Sequence, residues 1–313
     1  MKAFLKSELW HLIINPNALS DKCLNYTEPI KDILIRESIR FESHIVISSG
    51  ICKTTIEKLC KEGNCHFMVL GGDGTLNEVV TAIFNSGIDT TKVYIIPFPL
   101  GTGNDWCRTH CYPKDALDTA HRLYDAHFIR HDVGTVEVLR NDKTAAVRHF
   151  VNIAGFGFDA AVIQQTAGQK TKFLASAKYL INLLKVLFSY KPAQMSIFSP
   201  DFSVSDKIFT IAVGICEYNG NGMRQVPMAD PTDGLFDVVV IKEIAPSKVI
   251  KNVKKLYSGT HIGQLSEIEV YKTNALVISA TPYGKCEVEG EMLPEGDYRV
   301  TMRPNSINLL SFK

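Results

Sequence analysis

The stretch Met68-Val69-Leu70-Gly71-Gly72-Asp73-Gly74-Thr75-Leu76-Asn77-Glu78-Val79-Val80 passes from an apolar run, through three glycines, straight into a helical pattern. Leu76, Val79, Val80, Ile83 and Phe84 stand at i, i+3, i+4, i+7 and i+8, which lines one helix face with apolar groups. Thr75 and Glu78 have the spacing of a capping box, so the helix is expected to start at Thr75 as N-cap. The glycines then form the turn from strand end to helix start. Such a turn points unpaired backbone N–H groups and the positive end of the helix dipole at one place, and glycine lets a phosphate come close. A bare phosphate would be repelled by Asp73, whereas a nucleotide with Mg²⁺ suits a carboxylate there. A tight strand-to-helix turn with Asp73 as a local cap fits the same residues.

The flanking chain repeats this alternation. Strands are expected at Leu12–Ile14, His44–Ile47, Phe67–Leu70 and Val93–Ile96, with helices near Glu28–Glu37, Thr54–Lys61, Leu76–Asn85 and Ala116–Asp125. Strands alternating with helices predict an α/β nucleotide-binding domain built on a doubly wound parallel sheet, with ligands at the loops leaving the strands' carboxyl ends. After Asp132 the texture changes to short apolar runs separated by turns: Val133–Leu139, His149–Ile153, Met195–Phe198, Phe209–Cys216, Leu235–Ile241, Ile268–Tyr271, Ala275–Ala280, Cys286–Glu289, Tyr298–Met302 and Ile307–Phe312. Helices interrupt near Thr171–Tyr190 and Pro246–Ser258. This predicts a β-rich antiparallel sandwich or barrel. The domains are therefore expected at 1–131 and 132–313, with the segment 303–313 free to return to the first, and with the active site in the cleft between them.

A chain of 313 residues is long enough for two cores. Its 34 Lys+Arg and 33 Asp+Glu nearly cancel, so no global field points to nucleic acid. Leu9–Ile14 is too short for a signal peptide, and Lys172–Tyr190 is interrupted by Lys178, Asn182 and Lys185, so a cytoplasmic protein is expected. Cys107, His110 and Cys111 match no common zinc spacing and read as ordinary reduced residues. Phe173, Leu174, Ala177, Leu180, Ile181, Leu184, Val186, Leu187 and Phe188 cover much of one helix and are expected to pack in a core, with membrane approach as the alternative. Lys248, Lys251 and Lys255 share a helix face, solvated or set against anionic lipid.

A second loop of the same design follows the strand at Val93–Ile96: Pro97-Phe98-Pro99-Leu100-Gly101-Thr102-Gly103-Asn104-Asp105. Two neighbouring strands ending in such loops converge on one crevice. With GGDGTLNE at 71–78 and PLGTGND at 99–105, the chain resembles the diacylglycerol kinase catalytic family, which includes bacterial lipid kinases and sphingosine kinases. The resemblance continues through His131–Gly134, Asn152–Asp159, Pro227–Leu235 and Val288-Glu289-Gly290-Glu291, in family order. It implies ATP-dependent phosphorylation of a lipid hydroxyl, with ATP and Mg²⁺ as cofactors, a lipid substrate and transient contact with a membrane surface.

Carried over by position, the resemblance places the nucleotide phosphates at Gly71, Gly72, Asp73, Gly74, Thr75, Leu76, Asn77 and Glu78 together with Thr102, Asn104 and Asp105. It places the nucleoside near Asn15, Pro16, Asn17, Ala18, Leu19 and Ser48. Asp230, Asp233 and the carbonyl of Leu235 look like a structural Mg²⁺ site, Glu291 matches the proton acceptor with Asp73 as the other contender, and Asp132 lies at the domain interface. The first loop lacks the family's glycine, Asn219–Met223 is less glycine-rich than usual, and Glu289 replaces an aspartate. Acceptor identity and oligomeric state are open. NAD kinase shares Gly-Gly-Asp-Gly-Thr but not the second loop, and a non-catalytic binding protein is the other alternative.

Overall fold

Strands Leu9–Ile14, His66–Gly71 and Tyr94–Pro99 are buried almost throughout, and each reads as a continuous apolar run. That texture belongs to parallel strands covered on both faces. They pair in parallel in the order Tyr94–Pro99, His66–Gly71, Leu9–Ile14, with Arg40–Ile45 at the edge. The computed structural model describes residues 1–21, 23–141, 143–166, 177–281 and 284–313, and divides into two compact units.

The first unit comprises 1–132 and 305–313. Helices Cys23–Arg36, Ser49–Lys61 and Asp73–Ser86 connect its parallel strands, and the last stops at Gly87, whose φ of +78° suits a residue without a Cβ. The chain's final strand, Asp297–Ser311, adds in parallel to Tyr94–Pro99 through Asn308 and Leu309. The runs Tyr298–Met302 and Ile307–Phe312, expected as separate strands, are thus one long strand. His149–Ile153, expected as one strand, is split between Lys143–Phe150 and Ile153–Gly157.

The second unit, 133–304, is antiparallel. Strand Ser203–Gly214 pairs with Ile153–Gly157, Ala193–Phe198 and Phe236–Lys242, and Ile268–Thr273 extends the sheet beyond the last of these. On the far side of Ile153–Gly157 lies Cys286–Val288, followed by Glu291–Met292. A mixed α/β unit and a β-sandwich-like unit are the architecture expected from the alternation of periods. Phe173 and Leu174, and the side chains of Ala177, Leu180 and Ile181, lie outside the described residues. In the same helix, Leu187 is buried beside Phe209 and Ile244, and Phe188 is exposed. No helix among the described residues is long and apolar enough to cross a membrane.

Candidate active site

The glycine turn starts its helix two residues before Thr75. Helix Asp73–Ser86 has Gly72 as its N-cap, with no side chain capping it. The capping box is therefore corrected: the Thr75 hydroxyl is engaged by the Asn15 amide, which donates to it at 2.9 Å, and Glu78 accepts from the Ser49 hydroxyl at 2.5 Å. Both side chains reach neighbouring loops because tertiary partners compete with the local cap. Leu76 N–H donates to the Gly72 carbonyl, while the N–H groups of Asp73, Gly74 and Thr75 have no acceptor among the described residues. Three orphan donors at an uncapped helix start form an anion-binding end.

Gly72 and Gly74 serve different purposes. A Cβ on Gly72 would lie 2.7 Å from Gly101 Cα, and one on Gly101 would lie 2.6 Å from Gly72 Cα. The two loops thus touch backbone to backbone, and the Leu100 N–H donates to the Gly71 carbonyl at 3.0 Å. This contact alone requires glycine at both positions. Gly74, where an added Cβ would meet nothing within 4 Å, is the open glycine.

Asp73 joins the loops. Its carboxylate accepts the N–H groups of Asp105 at 3.1 Å and Trp106 at 3.2 Å, capping the short helix Asp105–Thr109 from the other loop. Burial, and then the neighbouring Asp105 charge, push its carboxyl up to about 6 against these donors. So Asp73 is a cap, of the neighbouring loop's helix rather than its own. Asn104, left-handed at φ +50°, folds its amide back onto Gly101, accepting from the N–H at 2.7 Å and donating to the carbonyl at 3.0 Å. Asp105 is buried with Arg108 3.4 Å away, and Thr102 is exposed.

The first loop closes against the same turn. Asn15 N–H donates to the Leu70 carbonyl, Asn17 donates to the Ile47 carbonyl at 3.1 Å, and Ser48 caps helix Ser49–Lys61 through the Ile51 N–H. Leu19, in the Asn15–Leu19 stretch that lacks the family's glycine, has φ +52°, a conformation glycine adopts more readily. Pro16 continues the loop after Asn15, but Ala18 and Leu19 already belong to the short helix Ala18–Asp21, so the expected loop ends at Asn17. Asp132 is fully buried and accepts the Asn305 N–H at 2.6 Å, holding the returning chain. His131, between it and Trp106, accepts from the indole N–H at 3.3 Å.

In the second unit, Glu289 and Gly290 form the two-residue turn of a hairpin pairing Val288 with Glu291. Both have positive φ, +51° and +85°, the geometry such turns require. The Glu291 side chain is exposed and has no hydrogen-bond partner among the described residues. Glu289 accepts the N–H groups of Val151 at 2.6 Å and Asn152 at 2.8 Å, anchoring the turn.

Beneath it lies a carboxylate the sequence reasoning missed. Glu287 is 1% exposed, accepts the Gly290 N–H at 2.7 Å, and is pushed up to about 8 by burial, with the Asp159 and Glu289 charges adding to the shift. Asp159 in turn accepts from the Gln225 amide at 2.6 Å. A glutamate at an inward position of the apolar strand Cys286–Val288 was the available signal.

The proposed metal turn has oxygen donors in the right chemical class. Asp230 accepts from the N–H and hydroxyl of Thr232, and Asp233 accepts from the Leu235 N–H at 2.9 Å. Asp237, also missed, is 1% exposed; neither of its oxygens makes a well-formed hydrogen bond, and burial pushes it up to about 6. Lys272 Nζ stands 2.8 Å from Asp233 and 3.4 Å from Asp237. Carboxylates with the Leu235 carbonyl are the hard donors Mg²⁺ prefers, and Asp237 adds a buried carboxylate paired with the Lys272 ammonium. Such an ion would share the place with the Lys272 ammonium.

Comparison with known proteins follows the same division. A model of the diacylglycerol kinase catalytic domain matches residues 9–136, and a model of the YegS C-terminal NAD kinase beta sandwich-like domain matches 152–311. A relative from Pseudomonas syringae pv. tomato, named "Probable lipid kinase YegS-like", is 26% identical over 269 residues, covering 83% of this chain and 80% of its own. One of the same name from Xanthomonas campestris pv. campestris is 25% identical over 262 residues, covering 83% and 82%. A diacylglycerol kinase crystal structure from Bacillus anthracis str. Sterne superposes with a TM-score of 0.72 at 18% identity over 97% of both chains. Yeast NADH kinase complexed with NADH superposes at 0.54 and 11% over 97% of this chain and 82% of its own, a likeness of fold alone. With both models matched in order, the chain carries a diacylglycerol kinase catalytic domain followed by a YegS C-terminal NAD kinase beta sandwich-like domain, and belongs to the family these two domains define.

Proposed function

We propose that this protein transfers the γ-phosphoryl group of ATP to a hydroxyl of a lipid of the diacylglycerol or sphingoid class. The observation that carries the reading is the uncapped start of helix Asp73–Ser86, where three free N–H groups meet an open glycine. Phosphoryl transfer depends on positioning and charge stabilisation, and such donors supply both to the phosphates. Asp73 clamps the second loop so that Thr102 and Asn104 keep a fixed place beside the turn, while Asn15 fixes Thr75 from the first loop. Asn17, Ser48 and Leu19 belong to the segments that would hold the nucleoside.

Glu291 is assigned as the proton acceptor for the attacking hydroxyl. The Asp73 carboxylate accepts the Asp105 and Trp106 N–H groups and the buried Asp132 accepts the Asn305 N–H, whereas the Glu291 carboxylate is exposed and has no hydrogen-bond partner among the described residues. Proton removal by a positioned base contributes about 10²–10⁴ in rate. Mg²⁺ at Asp230, Asp233 and the Leu235 carbonyl would supply positive charge that steadies the turn before strand Phe236–Lys242. The test is transfer of radiolabelled phosphate from ATP to a panel of diacylglycerol, sphingoid base and phosphatidylglycerol, with NAD as a control acceptor. Label in a lipid product is expected. Label in NADP alone, or ATP binding with no transfer to any acceptor, would overturn the assignment.

A further inference from the structure

Helix Pro246–Ser258 in the second unit buries none of its side chains fully. Its sequence, Pro-Ser-Lys-Val-Ile-Lys-Asn-Val-Lys-Lys-Leu-Tyr-Ser, holds four lysines and no carboxylate. One side is attached to the fold. Val249 packs against the buried cluster of Leu187, Phe209 and Ile244, the Leu256 carbonyl accepts the Arg224 N–H at 3.0 Å, and Lys248 is bound to Glu267 at 2.6 Å.

The other side is unusual for a surface helix. Ile250, Val253 and Tyr257, at i, i+3 and i+7, leave 42%, 43% and 52% of their surface exposed in one row. Lys251 and Lys254 are exposed on the flank of that row. The grouping of Lys248, Lys251 and Lys255 is therefore corrected: Lys248 is held in an ion pair and Lys255 is half-buried, so the exposed cations of this helix are Lys251 and Lys254. An aliphatic and aromatic row edged by lysine, on a helix without acids, matches a lipid interface in both polarity and charge.

We propose that the outward face of this helix is a docking surface for an anionic bilayer, with Ile250, Val253 and Tyr257 entering the acyl boundary and Lys251 and Lys254 meeting headgroup phosphates. It rests on the kinase reading, because an enzyme acting on a membrane lipid must reach its acceptor at the interface. Charge complementarity selects a bilayer over a second copy of this face, whose lysines would oppose each other.

The test is co-sedimentation with vesicles of phosphatidylcholine mixed with phosphatidylglycerol, and with phosphatidylcholine alone. The parent should bind the mixed vesicles more tightly. Lys251→Gln with Lys254→Gln should weaken that binding about 30-fold, since each lysine near such a surface is worth about 1 kcal/mol. Ile250→Asp with Val253→Asp should abolish binding to both vesicles while thermal stability and ATP affinity stay unchanged. Phosphorylation of vesicle-embedded lipid should fall in step, and that of a short-chain soluble acceptor should not. Undiminished sedimentation of both double variants would overturn the proposal, as would a parent dimer, seen by ultracentrifugation, that the Asp variant dissociates. Helix-dependent vesicle binding by a chain that phosphorylates no lipid would support the surface and sink the kinase reading.

Discussion

Two alanine substitutions two residues apart should move stability and nucleotide affinity in different combinations. At Gly72 the added Cβ would sit 2.7 Å from Gly101 Cα, about 0.7 Å or more inside ordinary van der Waals contact. Both partners are backbone, so no rotamer relieves the clash, and the strand ends at Gly71 and Pro99 are fixed by pairing. Overpacking of this kind costs about 1–3 kcal/mol. That corresponds to a melting temperature lower by roughly 3–9 °C. Prising the loops apart should also break the Asp73 clamp, so ATP affinity falls with it.

At Gly74 the outcome is different. Nothing lies within 4 Å of the new Cβ, and φ is not in the left-handed region. Alanine there restricts the unfolded chain and favours the helix, stabilising by about 0.4–1 kcal/mol. Yet a methyl beside three free N–H groups stands where a phosphate would seat, so ATP affinity should drop at least about tenfold, or about 1.4 kcal/mol. Thermal melts and calorimetric ATP titrations of both variants are the assay. Gly74→Ala that melts higher and binds ATP like the parent would refute the phosphate turn. Gly72→Ala that melts like the parent would refute the loop contact.

Other consequences can be checked on the same protein. Glu287 holds its proton in the fold up to about pH 8, while the unfolded chain releases it in the ordinary glutamate range. The native state therefore binds more protons through that window, and stability should fall as pH rises by up to about 1.4 kcal/mol per unit. Denaturation of the parent and Glu287→Gln from acid to mildly basic pH should show that slope lost in the variant; equal slopes would refute the buried acid's role. Asp233→Ala should erase Mg²⁺-dependent thermal stabilisation. A melting shift with Mg²⁺ equal to the parent's would remove the metal from that turn. Glu291→Gln should cut lipid phosphorylation by about 10²–10⁴ with ATP affinity near the parent's. Near-normal turnover there, with Asp73→Asn inactive yet binding ATP, would pass the base role to Asp73.

Much of this protein was readable without coordinates. The change from alternating helices and strands to successive short strands is a local property, since side-chain period follows from backbone geometry within a few residues. Hence the order of elements and the position of the two glycine loops could be located from Leu76–Phe84 and from the apolar runs at Phe67–Leu70 and Val93–Ile96. Errors of local reading occurred where a distant partner outbid a near one. Thr75 and Glu78 had the spacing of a cap but bind Asn15 and Ser49.

Tertiary structure decided what each site residue does. Gly72 is glycine because Gly101 approaches it, and Asp73 is tied to backbone groups 32 and 33 residues away. Glu287 and Asp237 lie in expected strands, and only the fold buries them and raises the cost of their ionised forms. In helix Pro246–Ser258, only the fold shows that Val249 is packed inward while Ile250, Val253 and Tyr257 stay exposed. Periodicity records which residues share a face, but burial, desolvation and backbone contact depend on what the rest of the chain brings against that face.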